Sequence, residues 1–293
     1  MRPDQPLLTQ DDLRALTEEC DQGCDTLAAQ LISLKQRLGP YASPYLGSGF
    51  EYQESRPYQA GDPIRQLNWR YFARTGQLYT RLYEQERQAR LFIAVDQRDV
   101  MRFGTRVRPK VAQAVRLALA LVYLAAREGM AVQLQPLHDQ GALSPVLSGE
   151  SAFDQATALL NQPCPPGEPT PDGWENLTLA VEQLPAGSLL VLIGDLWDMD
   201  VRFARWLGAQ APHKVAQAIW IQDRVEIELP DMGGYVLHDL SGQRRKAVDT
   251  AQAATYNETA RQRFAQHRRQ LLSAGLELYR LQAHQPLTEY AHG

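Results

Sequence analysis

Two short runs, Leu91–Val95 (LFIAV) and Leu189–Ile193 (LLVLI), constrain this chain more than anything else in it. A strand that alternates apolar and polar residues has one wet face; these runs have none. That pattern predicts strands buried on both faces, as in a parallel sheet covered by helices. Each run ends abruptly in charge. Asp96, Arg98 and Asp99 follow the first, and Asp195 and Asp198 follow the second, with Asp200 beyond. Open parallel sheets hold their ligands at the carboxyl ends of strands, so these two loops are where a site is expected.

The remaining sequence can supply the covering helices. With 293 residues the chain can bury a large core, as one big domain or one domain with an appendage. A net charge of −4 gives no general electrostatic reason to expect nucleic acid. Three cysteines, Cys20, Cys24 and Cys164, have no framework spacing, which points to a reducing compartment without structural disulfides. The first residues hold no apolar run of signal-peptide length, and the apolar-rich segment Val111–Ala126 is broken by Gln113 and Arg116, so it reads as a buried helix. The expectation is a soluble, cytoplasmic protein that reaches a membrane only through partners.

In chain order, residues 1–40 read as an amino-terminal element whose positions 9–38 form one long helix. Thr9 and Asp12 have capping-box spacing, and Gly39-Pro40 stops the helix. Leu13, Leu16, Cys20, Leu27, Leu31, Leu34 and Leu38 form one stripe, expected to pack on the body of the same chain, with a coiled-coil contact as the alternative. Cys20 and Cys24 share a helix face and lack further ligands for a metal. Residues 41–90 are rich in arginine, glycine and aromatics without a helical period; only 78–83 has strand propensity. Beyond residue 90, helices are expected at 110–128, 176–184, 201–210 and 251–274, and through Leu160 from a Ser151 cap. Strands are expected at 131–137, 215–221 and 276–281, with a hairpin-rich insertion at about 226–248. This alternation is that of an α/β sheet covered on both faces.

Arg56, Tyr58, Gly61, Asp62, Arg65, Trp69, Ala73, Arg74 and Glu86 fall on the signature of domain-of-unknown-function family number 58, which the chain resembles; Asn68 stands where that family usually has Asp. The resemblance implies that residues 91–293 form a von Willebrand factor A-like domain, a three-layer, Rossmann-like, mostly parallel sheet. It also implies a MoxR-type AAA+ ATPase as usual neighbour, and a role in assembling or activating other protein complexes.

Domains of von Willebrand A type often bind a divalent cation at the strand ends, through D-x-S-x-S, a threonine from a second loop and an aspartate from a third. Here Asp96 and Asp195 keep the outer positions. Arg98 and Val100 replace the serines, and the threonine position corresponds to Glu175. A guanidinium repels a cation and offers its planar fork to a carboxylate. The expectation is therefore that Arg98 takes the metal's place and pairs with Asp96 or Asp195, with no cofactor bound.

Two rival readings use the same residues. One is a retained Mg2+ adhesion site on Asp96 and Asp195. The other is a Mg2+-dependent hydrolase or nuclease holding metals on the strand-end carboxylates. Against the second, no ordered basic track for nucleic acid is evident. The six histidines form no ligand pair, and no phosphate loop or nucleophile elbow follows a strand. The preferred reading is a non-enzymatic adaptor that binds a MoxR-type ATPase or its client. Contact candidates are Asp96, Arg98, Asp99, Glu175, Asp195 and Asp198 at the strand ends, and Arg56, Tyr58, Asp62, Arg65, Trp69 and Arg74 upstream, where an internal arginine–carboxylate network competes with a partner-facing role.

Overall fold

The structure, a computed structural model, describes residues 5–37, 51–59, 64, 67–84, 90–104, 107–138, 143–162, 173–210, 214–229, 235–238, 245–289 and 291–292. Leu38, Asp62, Arg65, Glu86, Cys164 and the turns at 233–234 and 241–242 lie outside them. The chain forms two compact units, Met1–Leu38 with Ala89–Gly293, and Gly39–Gln88.

The amino-terminal stripe folds as two helices rather than one, α1 (Gln10–Gln22) and α2 (Asp25–Arg37). Gly23 ends α1, its amide donating to the Glu19 carbonyl, so the residue that weakens the helical pattern is where the helix stops. The Thr9–Asp12 capping box is present. Leu13, Leu16, Cys20, Leu27, Leu31 and Leu34 are buried in the core of the larger unit, so the stripe packs on its own chain.

The smaller unit pairs β1 (Glu51–Pro57) antiparallel with β2 (Tyr79–Glu84), and places α3 (Trp69–Thr75) between them in sequence. The seven residues of α3 are two turns, too short for a period to show. Asn68 caps α3 by accepting from the Tyr71 amide, a role Asp fills equally well, and Gly76 ends it at φ +68°.

The larger unit follows with β3 (Arg90–Asp96), α4 (Lys110–Arg127), β4 (Ala131–Leu137), α5 (Ala152–Leu160), α6 (Leu177–Gln183), β5 (Ser188–Gly194), α7 (Val201–Gly208), β6 (Lys214–Gln222) and the single-turn α8 (Arg224–Ile227). The antiparallel hairpin β7 (Tyr235–His238) and β8 (Arg245–Val248) comes next, then α9 (Thr250–Ser273), β9 (Glu277–Gln282) and β10 (Ala291–His292). The Ser151 hydroxyl makes no bond to the backbone of α5; it accepts from Gln155 instead.

The six-stranded sheet has the order β10-β9-β6-β5-β3-β4, parallel throughout except for the edge strand β10. Alternate residues of each inner strand enter opposite cores. Leu91, Ile93, Val95, Leu189, Val191 and Ile193 meet α1, α2, α4 and α5; Phe92, Ala94, Leu190 and Leu192 meet α6, α7 and α9. This is the three-layer, mostly parallel α/β arrangement expected. Helix α4 is buried almost all round because α1, α2 and α5 cover its outer side. Among the described residues no helix is long and apolar enough to cross a membrane.

Candidate functional site at the strand ends

The five parallel strands run 2-1-3-4-5 in the order the chain visits them, so the connections turn in opposite directions from β3 and β5. Doubly wound sheets open their ligand crevice at this switch point. Val95 and Ile193 are register partners there, so the two charged loops share one rim.

Asp96 is fully buried at the end of β3. Arg98 folds back onto it: Nε donates to Oδ1 at 2.9 Å, Nη2 to Oδ2 at 2.8 Å, and the Arg98 amide to Oδ1 at 3.1 Å. The other edge of the guanidinium holds Asp198, with Nη2 donating to Oδ1 at 3.1 Å and Nη1 to Oδ2. Trp174 donates from Nε1 to the same Asp198 Oδ1 at 3.1 Å, and the guanidinium carbon lies 5.6 Å from its ring centroid. Two glycines make the room. A Cβ at Gly173 would stand 1.9 Å from Arg98 Nη1, and one at Gly194 would stand 2.2 Å from Asp96 Cβ.

Asp195 does not pair with Arg98, contrary to one of the expected pairings. It faces a second buried cation. Lys110 Nζ donates to Asp195 Oδ2 at 2.7 Å and to Glu226 Oε1 at 2.6 Å. The other Asp195 oxygen accepts from the Trp197 amide at 3.1 Å and Trp220 Nε1 at 3.2 Å. Glu226 also closes the capping box of α8 by accepting from the Asp223 amide at 2.8 Å. The Asp195 amide donates to Asp96 Oδ2 at 3.3 Å, joining both clusters.

These contacts set the electrostatics. Burial pushes the Asp96 carboxyl up, against the pull of Arg98. Burial alone would lower Arg98 and Lys110; the carboxylates beside them hold both above their ordinary values. Burial raises Glu226 despite Lys110.

The residues present do not fit a divalent cation. Every oxygen of Asp96 and Asp195 already accepts from an amide, an indole or a resident cation, and the hydroxyl positions hold Arg98 and Val100. Among the described residues no three His, Cys, Asp or Glu side chains converge as a metal site would require. Of the further carboxylates a hydrolase would use, Asp198 is held by Arg98, whereas Asp99 pairs with Arg102 and Asp200 caps α7.

Of the other expected residues, Asp99 pairs at 2.7 Å with Arg102 in the 3-10 turn Asp99–Arg102, and Glu175 is exposed before α6. Neither joins the cluster; Gly173 and Trp174, just before Glu175, do. In the smaller unit Arg56 donates to the Pro57 carbonyl at 3.1 Å, Tyr58 is half-buried, and Arg74 and Trp69 are exposed, Trp69 by 55%. Trp69 and Phe72 make an edge-to-face pair.

Sequence reasoning missed Lys110, Glu226, Trp174 and Trp220. Lys110 left a signal. A lysine opening an apolar helix faces the positive end of the helix dipole, so it needs carboxylates nearby.

The family described as "Protein of unknown function DUF58" matches residues 54–270. The uncharacterized proteins Rv1480 of Mycobacterium tuberculosis H37Rv and Mb1516 of Mycobacterium bovis are each 29% identical over 218 residues, 71% of this chain and 68% of theirs. Among solved structures, the chain is similar to the conserved hypothetical protein BatB from Bacteroides thetaiotaomicron, at 14% identity and a TM-score of 0.38 over 63% of this chain and 99% of that one. It is also similar to the SpRpn10 VWA domain, at 13% identity and a TM-score of 0.37 over 69% of this chain and 93% of that one.

Proposed function

The chain belongs to the DUF58 family, and from that premise we propose that it is a non-enzymatic docking adaptor, working in the cytoplasm with a MoxR-type AAA+ ATPase or that ATPase's client. The ATPase supplies the nucleotide chemistry, and this chain supplies a rigid docking surface. One observation carries the reading. The strand-end crevice, where an α/β sheet would do chemistry, is filled by the protein's own Arg98 and Lys110. Ligand oxygens turned inward onto resident cations stabilise a surface instead of binding a reactant.

Each unit offers its own contact surface, the outer edge of this rim on the larger unit and α3 on the smaller one. On the rim, Asp198 is exposed and Val100 is 45% exposed. On α3, Trp69, Arg70, Phe72 and Arg74 are exposed, and this Trp/Arg composition is that of interface hot spots. Binding at this edge needs no divalent ion.

The test is a pull-down from the native host, with and without ATP, comparing wild type with Trp69→Ala/Phe72→Ala. Wild type captures a MoxR-type ATPase or an ATPase–client complex. The double variant loses capture about thirtyfold, as for a hot spot worth about 2 kcal/mol. No AAA+ ATPase under either condition, or capture indifferent to the variant, would contradict the proposal.

A further inference from the structure

Helix α9 is the least covered of the long helices. Of its 24 residues only Ala253, Phe264 and Leu271 are buried. It carries four arginines against one glutamate, a net charge of +3 in a chain whose net charge is −4. Where α9 passes α8 and the loop after β5, a pocket of about 350 Å³ opens, lined by Trp197, Glu226, Tyr256, Thr259, Ala260 and Arg263.

The walls of this pocket are fixed. Trp197 stacks on His267 at 5.5 Å, meets Trp220 edge-on at 5.0 Å, and donates from its amide to Asp195. The Tyr256 hydroxyl donates to the carbonyls of Val225 and Glu226, each at 3.2 Å. Preorganised aromatic walls lose little entropy when an apolar group settles between them. Arg263 is exposed and makes no ion pair among the described residues, whereas Arg261 on the same helix is paired with Glu228 at 2.8 Å. The pocket therefore offers two aromatic rings and one cation still to be matched.

We infer that this pocket between α8 and α9 binds an acidic peptide segment of a partner protein, seating one bulky apolar side chain against Trp197 and Tyr256 and a neighbouring carboxylate on Arg263. The volume suits one large side chain with adjacent backbone. The charge pattern suits one carboxylate and not a polyphosphate, because among the described residues Arg263 is the one cation that lines this pocket and Glu226 on the same wall is already held by Lys110. The pairing of Arg263 with a carboxylate at this exposed position makes binding salt-dependent. The inference stands whether or not the partner is an ATPase.

Fluorescence anisotropy with labelled Asp/Glu hexapeptides, each carrying one Phe, Tyr, Trp or Leu, tests it on the full chain. At least one of these peptides binds saturably at low salt, and replacing its apolar residue by Ala abolishes binding. Arg263→Glu weakens binding about tenfold, the size of one lost charge-assisted hydrogen bond. Ala260→Phe, which plugs the pocket, removes binding while the circular dichroism spectrum and Tm stay those of wild type. Saturable binding by none of the peptides, binding indifferent to both substitutions, or displacement of the peptide by ATP would each overturn the assignment.

Discussion

The rim at the ends of β3 and β5 and the pocket beside α9 each set an arginine near a tryptophan, and use the pair in opposite ways. At the rim Arg98 lies over Trp174 with its fork divided between Asp96 and Asp198, nearly out of solvent. At the pocket Arg263 shares a lining with Trp197 and has no carboxylate on it among the described residues. The difference shows what an arginine beside a tryptophan signifies. Buried and fully matched, it holds two loops together; exposed and unmatched, it waits for a partner. Two arginines that look alike in sequence thus serve different ends, one stability and the other recognition.

Truncating Arg98 costs the fold most. Arg98→Met strips the buried Asp96 of its counter-charge and is expected to destabilise the fold by about 3–5 kcal/mol, read as the shift in urea midpoint. The equivalent Arg263→Met change, at an exposed position, moves stability by less than about 0.5 kcal/mol. Similar losses from the two variants would show that the rim is as loosely held as the pocket.

Lys110 gives the rim a pH dependence. Its folded-state value is raised above its ordinary one because the attraction of Asp195 and Glu226 outweighs burial. The unfolded lysine titrates near about 10.4. Below that value the ammonium is bound in both states and its stabilisation is complete; as pH rises through the higher folded value the stabilisation is lost. The gap in stability between wild type and Lys110→Met is therefore constant from neutral pH to about pH 10 and narrows above it. Urea denaturation at stepped alkaline pH measures this gap, and a gap that widened above pH 10 would contradict the assignment.

How much of this was legible beforehand depended on range along the chain. β3 and β5 were visible because five consecutive apolar residues leave no wet face, and their shared rim followed once both strands were parallel. Arg98 was visible as a foreign charge in a ligand pattern, and it sits two residues from the Asp96 it binds. Lys110 was not, because its partners lie 85 and 116 residues away and no local pattern joins them. Of the two carboxylates expected for Arg98, Asp96 takes it and Asp195 takes Lys110 instead. The helices α3 and α8 have one or two turns, too few to display a 3.6-residue period, and the α1–α2 break rests on the single residue Gly23 inside an otherwise continuous stripe.

Arg98 and Lys110 occupy the crevice where a metal would sit. Calorimetric titration of wild type with Mg2+ and Mn2+ at neutral pH tests this most directly. With both cations in place, no binding tighter than about millimolar is expected, below the range of dedicated oxygen-ligand sites. Micromolar binding that disappears in Asp96→Asn would contradict it.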